Sequence, residues 1–297
     1  MLQAMQAVHI HQIYFSPQQE LDPGFTLLDN SANPRPDWFE YWPMRNFLLR
    51  ESLDDAAFYG FLSPRFKQKT NLDAAQVARF IAGCAPDTEV VLFSPSIHNA
   101  AFYLNVFAHG ESEHPGLMAV TKKFFARTNQ PRAVEDSVSD SRNTVHSNFF
   151  IAKPRFWRSW LALTEQLFQI AEEPGDTLGQ ELRRTTTYRG SESVQLKIFL
   201  MERIATWILM NDASFVVCAR DPFAARSRIY KLPVALICDA LKIAYVTQGR
   251  QQYKDVFDLV SHVRRGWTRQ IRLGDTLHVG GIHPYLRRLK SYWDRKA

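Results

Sequence analysis

The sequence lacks the glycine-rich and cysteine-rich patterns that assign a function directly. Its 13 glycines are scattered over 297 residues, and none falls in a Gly-x-Gly-x-x-Gly or Gly-x-x-x-x-Gly-Lys-Ser/Thr pattern, whose backbone would cradle phosphates. It also lacks a Gly-x-Ser-x-Gly nucleophile elbow and the paired cysteines of a zinc site. These absences argue against dinucleotide oxidoreductases, P-loop ATPases and serine hydrolases.

Long apolar runs are missing as well. Residues 90–93 and 204–210 are typical of the longest ones, far short of the roughly 20 apolar residues that span a bilayer, and residues 1–8 lack the pattern of a signal peptide. Cysteine is scarce, and three cysteines, an odd number in apolar surroundings, are typical of a cytosolic protein with reduced thiols. We therefore expect buried, reduced side chains at Cys84, Cys218 and Cys238.

What is present is enough apolar material for a core and an uneven distribution of charge. The chain is 45% hydrophobic and 13% aromatic, which excludes a disordered protein and allows one large or two small domains. Residues 264–297 hold nine basic and two acidic side chains, a net charge of +7, so the rest of the chain carries −1 of the total of +6. Any argument from charge about partners therefore applies to this basic, aromatic segment.

The order of predicted elements favours an α/β fold. Residues 8–15 alternate β-branched and aromatic side chains and predict a first strand. A helix over 73–83 follows, and then a continuous apolar run at 89–93, which is typical of a buried strand in a parallel sheet. Strand alternating with helix is the pattern of α/β proteins. Further along, residues 194–210 predict one apolar helix.

Two segments carry residues suited to an anionic, polyhydroxyl ligand. Residues 28–45 combine amides, arginines and aromatics just after the first strand, where α/β sheets bind ligands. Arginine forks suit phosphate oxygens, and aromatic rings stack on sugars or bases. Residues 63–70 form a second basic loop. The alternatives are an aromatic packing corner for the first segment and a solvated loop for the second.

The order of these motifs resembles a known family. A first strand that reads Ile-His-Gln-Ile-Tyr-Phe at 10–15 opens the series, which is similar to a bacterial GT-A-like glycosyltransferase family associated with surface polysaccharide synthesis. The resemblance extends over residues 8–210. The other segments that carry it are residues 30–42, 59–66, 90–95, 148–151 and 202–204.

The resemblance implies a fold and an activity. The fold would be a GT-A-like, single Rossmann-type nucleotide-sugar-binding α/β domain over residues 1–245, with a basic helical C-terminal extension at 246–297. The activity would be transfer of a sugar from a nucleoside-diphosphate sugar to a hydroxyl of a glycan or lipid-linked acceptor. We expect a cytoplasmic protein whose residues 264–297 dock on the inner face of the membrane.

The chain departs from the family pattern at the metal site. Such folds usually carry an Asp-x-Asp after a buried strand to hold Mn²⁺ or Mg²⁺, but here residues 93–96 read Phe-Ser-Pro-Ser. Either another carboxylate holds a divalent cation, or the chain is not an active transferase, or basic side chains neutralise the diphosphate without a metal. We favour the last and predict no metal site. The carboxylates considered are Glu135, Asp136 and Asp140, and the basic residues are Arg35, Arg45, Arg65 and Lys67. The His109–His114 segment resembles a metal cluster, but a solvated surface is the favoured interpretation.

These expectations define a set of site residues. Transfer needs a base for the acceptor hydroxyl, for which Glu202 is the first candidate and His146 the second, unless Glu202 forms a structural ion pair with Arg203. The acceptor would contact Asn148 and Trp157. The residues expected to bind the donor are Gln12, Tyr14, Asn30, Arg35, Trp42, Arg45, Arg65, Lys67 and Ser94.

Two other classes of function remain open from the sequence. In one, residues 264–297 bind a single-stranded nucleic acid through phosphate contacts and base stacking. No nucleic-acid module is recognisable and the rest of the chain is net negative, so we regard a nucleic-acid partner as the weaker prediction. In the other, the chain is a non-catalytic scaffold of transferase ancestry, as the missing Asp-x-Asp suggests.

Overall fold

The computed structural model describes residues 7–95, 100–188, 192–223 and 232–272. The chain divides into two compact units, Met1–Ala224 and Ala225–Ala297, a division that falls before the expected boundary at residue 245. Side chains from residue 262 onward and all of residues 273–297 lie outside the described residues, and the expectation that segment 264–297 docks on a membrane falls on them. In the described ranges, no helix combines the length and the apolar composition needed to cross a membrane.

The first unit is built on a mixed, mostly parallel sheet. Among the described residues it has six strands in the order β2-β1-β3-β5-β4-β8, and all of them except β5 run in one direction. An antiparallel ribbon of β6 and β7 lies outside this sheet. The strands are β1 (Val8–Tyr14), β2 (Thr26–Asp29), β3 (Phe58–Leu62), β4 (Val90–Leu92), β5 (Phe150–Ala152), β6 (Thr185–Thr187), β7 (Ser193–Gln195) and β8 (Val217–Ala219).

Helices accompany the sheet and supply much of the core. The long helix α6 carries Trp157, Trp160 and Leu167 at helical spacing, and all three are buried in the larger core cluster. A smaller cluster joins α3 to β3, β4 and β5. The helices of the first unit are α1 (Tyr41–Arg50), α2 (Phe66–Thr70), α3 (Ala74–Ala82), α4 (Val106–Glu113), α5 (Leu117–Arg127), α6 (Pro154–Glu172), α7 (Thr177–Arg183), α8 (Leu196–Met201) and α9 (Ile204–Asn211). The second unit contains α10 (Leu232–Gln248) and α11 (Gln251–Arg272).

The α/β class and the strands at 8–15 and 89–93 are confirmed, with one difference in strand direction. The buried β4 pairs parallel with β8 on one side but antiparallel with β5 on the other. An apolar run shows only that both faces of a strand are covered, and it does not fix the direction of each neighbour. The helix expected over 73–83 is also present, because Asp73 and Gln76 form a reciprocal capping box at its start.

The expectation of three reduced cysteines is wrong. Cys84, just after α3, forms a disulfide with Cys218 in β8, with Cα atoms 6.1 Å apart, while Cys238 is free and buried. The two bonded cysteines are 134 positions apart in the sequence, and only the pairing of β8 beside β4 brings them into bonding range. The bond therefore links a helix to a three-residue edge strand.

Loss of this disulfide is expected to lower the stability of the chain. The double variant Cys84→Ser/Cys218→Ser should unfold with a free energy about 2–4 kcal/mol smaller than that of the oxidised chain, the usual effect of removing a native disulfide. Urea unfolding followed by fluorescence measures the difference, and adding dithiothreitol to the double variant serves as the control, since it should change nothing further. An unfolding midpoint of the unmodified chain that is the same with and without dithiothreitol would contradict this prediction.

Candidate functional site

A pocket opens at the carboxyl edge of the parallel strands in the first unit. It lies where β3 ends and β5 begins, on the side of β1 opposite to β2, and in α/β sheets this change of strand order is where ligands bind. Its volume is about 90 Å³, which at roughly 10–15 Å³ per water leaves room for several waters or one small polar group. Among the described residues, the walls come from Trp38, Phe39, Glu40, Tyr41, Ser63, Arg65, Lys69, Ser147, Asn148, Tyr188, Val194, Ile198, Phe199, Met201 and Glu202.

Two acidic and two basic side chains line this pocket. Glu40 and Glu202 supply carboxyl groups, and Arg65 and Lys69 supply cations from the start and the end of α2. Arg65 donates from Nε to Gln68 Oε1 at 2.9 Å, and Lys69 donates from Nζ to Ser147 Oγ at 2.8 Å. The arrangement provides hydrogen-bond acceptors on the two carboxyl groups and two cations that can attract an anion.

A break between α8 and α9 brings Glu202 to the pocket, so the single helix expected over 194–210 is wrong. The backbone N–H of Arg203 donates to the carbonyl of Leu200 and not one residue further back, and the carbonyl of Phe199 accepts from the Arg203 guanidinium instead, at 2.6 Å. A second bond from Arg203 goes to the carbonyl of Val106 at 3.0 Å. The Arg203 guanidinium thus donates to two backbone carbonyls and interacts with Glu202 only through its charge, without a hydrogen bond between them in the described part of the chain, and Glu202 lines the pocket.

An ion-pair network around the buried Lys197 holds the segment that carries Glu40. Lys197, fully buried in α8, donates from Nζ to Asp37 Oδ2 at 2.7 Å. Arg35 donates to both oxygens of Asp37 at 2.9 Å and to Glu172 at 2.8 Å, and the indole N–H of Trp38 donates to Glu172 at 2.9 Å. Burial opposes ionisation of Asp37, but the hydrogen bonds from Arg35 and Lys197 outweigh it and lower the pKa of this carboxyl to about 2.

Glu40 follows this network at the start of α1. Phe39, just before it, has a φ of +47°, a left-handed conformation that an aromatic residue adopts only when its surroundings impose it. Burial of the Glu40 carboxyl raises its pKa, and the nearby Glu202 raises it further, while Lys69 and Arg65 act in the opposite direction. Glu40 thus brings to the pocket a carboxyl group whose pKa lies above its ordinary value.

A strained turn places Asn148 at the pocket. Ser147 and Asn148 have φ values of +58° and +52°, and the N–H of Phe149 donates to the carbonyl of His146 at 3.1 Å, as in a type I′ turn. Ser94 supports the turn by accepting from the His146 N–H at 3.1 Å. Asn148 is 7% exposed, and its Oδ1 has no hydrogen-bond partner among the described residues.

The structure brings together some of the residues expected from the sequence and separates others. Arg65, Asn148 and Glu202 line the same pocket. Arg35 is engaged by Asp37 and Glu172, and Arg45 donates to both oxygens of Glu165, at 2.5 and 2.8 Å. Both guanidinium groups also lie over Trp42, at 5.5 and 5.7 Å from its ring centroid. These three residues form a packing corner of ion pairs and stacked rings, outside the pocket lining.

Other residues that the sequence predicted at the site instead hold loops in place or pack in the core. Gln12 accepts from the Asp22 N–H at 2.8 Å, Asn30 donates from its backbone N–H to the Tyr14 carbonyl at 2.8 Å, and Trp157 is buried with its indole N–H donating to the Tyr59 carbonyl at 2.9 Å. Lys67 is exposed on α2. The residues expected at the site that do not line the pocket are Gln12, Tyr14, Asn30, Arg35, Trp42, Arg45, Lys67, Ser94, His146 and Trp157.

Sequence reasoning missed Glu40, Lys69 and Ser63 as pocket residues. All three belong to the two segments that it singled out, 28–45 and 63–70. The signal that could have found Ser63 and Lys69 is their position directly after a strand that ends at the carboxyl edge of the sheet. No such signal exists for Glu40, because the direction of its side chain depends on the backbone conformation of Phe39.

The described side chains do not fit a metal site. In residues 7–95, 100–188, 192–223 and 232–272, no three His, Cys, Asp or Glu side chains come together as a metal-binding group. Glu135 pairs with Lys122, and the buried Asp140 pairs with Arg142 at 2.8 Å. Within the His109–His114 segment, Glu111 instead accepts from the N–H groups of Gly116 and Met118 at 3.0 and 2.7 Å. The pocket itself sets its two carboxyl groups beside two cations, a poor donor set for a divalent ion.

Comparison with known proteins gave no match to any family model, curated protein or solved structure.

Proposed function

We propose that the chain is a glycosyltransferase that moves a sugar from a nucleoside-diphosphate sugar to a hydroxyl of a glycan or lipid-linked acceptor, in the synthesis of bacterial surface polysaccharide. The observation that carries the proposal is the convergence of Arg65, Asn148 and Glu202 on one pocket. The sequence suggested these residues separately, as a diphosphate ligand, an acceptor contact and a base. Their shared position at the carboxyl edge of the sheet supports one site that combines the three roles.

Arg65 and Lys69 are the groups suited to the diphosphate. A guanidinium can donate two parallel hydrogen bonds to phosphate oxygens, and an ammonium adds a compact charge. Because negative charge accumulates on the leaving diphosphate as the sugar departs, fixed cations beside it lower the barrier. In this proposal the two side chains do the work for which the missing Asp-x-Asp would otherwise recruit a metal.

Glu202 is the group suited to deprotonate the acceptor hydroxyl. A general base must be ionised and must have an oxygen free to accept the proton. Arg203 turns its guanidinium to backbone carbonyls, which leaves the Glu202 carboxylate available at the pocket. The proposal includes a cytoplasmic protein whose residues 264–297 contact the inner face of the membrane, on the strength of their charge and tryptophans.

Nucleoside diphosphates are expected to bind at Arg65 and Lys69. In a panel of UDP, GDP and CDP, at least one should raise the thermal unfolding temperature, and Arg65→Ala or Lys69→Ala should weaken its binding about 10- to 100-fold, the loss of one charge-assisted hydrogen bond. Arg79→Ala is the matched control, since Arg79 is an exposed cation on α3 that does not line the pocket. Isothermal titration calorimetry gives the affinities.

The same preparation decides between the classes of function. Hydrolysis or transfer from the matching nucleotide sugar, with and without Mn²⁺, supports a transferase, and equal rates in both conditions support the role given to the two cations. The proposal is overturned if none of the diphosphates or their sugar conjugates binds. Salt-sensitive binding of single-stranded DNA that disappears when residues 264–297 are removed would then point to a nucleic-acid partner.

A further inference from the structure

We propose that the side chain of Phe39 is a stacking surface for a ring of the ligand, and that its unfavourable backbone conformation is kept because it holds this ring at the pocket. The ligand ring is the base or the sugar that is joined to the diphosphate. This inference rests on the proposed function and adds a group that contacts the substrate. It starts from three observations on Phe39: its exposure, its place in the pocket wall and its backbone dihedral angles.

Phe39 differs from the other aromatic residues of the chain in its exposure. It is 42% exposed, and among the described side chains no other phenylalanine, tyrosine or tryptophan is exposed to that extent. It also belongs to neither of the two apolar core clusters. A single exposed apolar residue is common on a protein surface, so the exposure by itself shows only that packing in the core does not account for this ring.

The backbone of Phe39 is what sets this position apart. Its φ is +47° and its ψ is −133°, close to the first central position of a type II′ turn, which glycine normally occupies because a Cβ is strained there. A bulky residue at such a position costs stability, and residues of this kind cluster at ligand sites. Glycine at position 39 would remove the strain, so the presence of phenylalanine favours a role for the ring itself.

The residues on either side impose this conformation. Trp38 and Tyr41 are buried in the larger core cluster, with ring centroids 5.1 Å apart. Their polar atoms are held as well, because the Trp38 indole N–H donates to Glu172 at 2.9 Å and the Tyr41 hydroxyl donates to Glu165 at 2.7 Å. The chain must therefore turn within the two residues between these anchors, and the conformation of Phe39 is set by the fold before a ligand binds.

The pocket combines this ring with charges suited to a phosphate. Phe39 lines it together with Arg65 and Lys69, and the same lining includes the apolar side chains of Val194 and Ile198. The cations attract phosphate oxygens, whereas an aromatic ring favours the flat or apolar face of another ring. A ligand that joins a diphosphate to a ring satisfies both kinds of group, and inorganic pyrophosphate satisfies only the cations.

The backbone strain is tested without any ligand. Phe39→Ala and Phe39→Gly both remove the ring, but only alanine keeps a Cβ at the positive φ, so Phe39→Gly should melt about 2–4 °C above Phe39→Ala in circular dichroism. The control is Glu51, an exposed residue with an ordinary φ of −90°, where glycine should melt below alanine because it loses more entropy on folding. If Phe39→Gly melts no higher than Phe39→Ala, the inference is overturned whatever the chain binds.

The role of the ring is tested with inorganic pyrophosphate, a nucleoside diphosphate and its sugar conjugate. Phe39→Gly should bind at least one of the two ring-bearing ligands about 5- to 150-fold more weakly, the loss of one stacking contact, with an unchanged affinity for pyrophosphate. Phe39→Tyr keeps a ring and should keep the affinity. Leu49→Ala shortens an exposed apolar side chain on α1 outside the pocket lining and should bind all three ligands as the unmodified chain does. Isothermal titration calorimetry gives the affinities.

The outcomes separate this inference from the proposed function. A loss that already appears with the nucleoside diphosphate assigns Phe39 to the base, and a loss confined to the sugar conjugate assigns it to the sugar. Unchanged affinities of Phe39→Gly for both ring-bearing ligands, or an equal loss for pyrophosphate, overturn the inference and leave the diphosphate site intact. A chain that binds none of the three ligands contradicts the proposed function, and the inference with it.

Discussion

Replacement of Glu202 by glutamine should slow sugar transfer by at least about 100-fold, the lower end of what a positioned general base contributes. The amide keeps the size of the side chain but cannot accept the proton of the acceptor hydroxyl. Since the neighbouring Arg203 guanidinium donates to backbone carbonyls and not to Glu202, the change should leave both stability and diphosphate affinity almost unaffected. Initial rates with a saturating nucleotide sugar, together with calorimetric affinities, measure the two effects separately.

Glu51→Gln is the matched control for this experiment. Glu51 is an exposed residue at the end of α1, outside the pocket lining, and its replacement removes the same charge. We expect its rate to equal that of the unmodified chain. A Glu202→Gln variant that transfers sugar at the unmodified rate would assign the base to another group, and a variant that loses diphosphate affinity in parallel would assign Glu202 to binding.

Asp37→Asn should destabilise the fold by about 2–3 kcal/mol. Removing one member of a buried ion pair leaves the other charge without compensation, a loss of about 3–5 kcal/mol where the pair is fully buried. Lys197 is fully buried, but the Asp37 side chain is 36% exposed and Glu172 remains 3.6 Å from the ammonium, so the loss should be smaller. Urea unfolding at pH 7 measures the change.

The control is Asp55→Asn, which breaks the exposed pair of Asp55 with Arg158 and should cost less than about 1 kcal/mol. The change in unfolding free energy at acidic pH provides a second comparison, between Asp37→Asn and the unmodified chain. The pKa of Asp37 is lowered from 3.8 to about 2, so its stabilisation is complete above pH 3.8 and disappears as the pH falls through 2. Asp37→Asn should therefore flatten the plot of unfolding free energy against pH in this range. Equal urea midpoints for Asp37→Asn and Asp55→Asn would disprove the role of the network.

Short sequence patterns were sufficient to predict the features that depend on neighbouring residues alone. Alternation at 8–15 and the apolar run at 89–93 identified strands, because side chains of a strand alternate in direction or are covered on both faces. The position of residues 63–70 after a strand predicted their place at the carboxyl edge of the sheet, where Arg65 lines the pocket. Each of these features is determined by residues close together in the sequence, so a short pattern is enough to predict it.

Long-range partners explain what could not be predicted. Arg35 and Arg45 have the side chains of phosphate ligands, but each pairs with a distant carboxylate, 137 and 120 positions later in the chain. Of the carboxylate partners, only Asp37 is a near neighbour of its arginine, Arg35, in the sequence. The same holds for the disulfide, and for the helix break at Arg203, where the guanidinium reaches the carbonyl of Val106, 97 positions earlier. Which arginine remains available to a ligand is decided by the packing of α6 and α8, which no short motif records.

The Lys197–Asp37 pair has a consequence for when the two segments around the pocket become ordered. Lys197 lies in the first turn of helix α8, and Glu202 directly follows that helix. Asp37 lies in the short segment just before Glu40. The pair therefore ties together the two segments that hold the carboxyl groups, before any ligand arrives. In the proposed sugar transfer, dipoles already fixed in position need not rotate as charge moves, so the free energy of ordering them is spent during folding and not in each turnover.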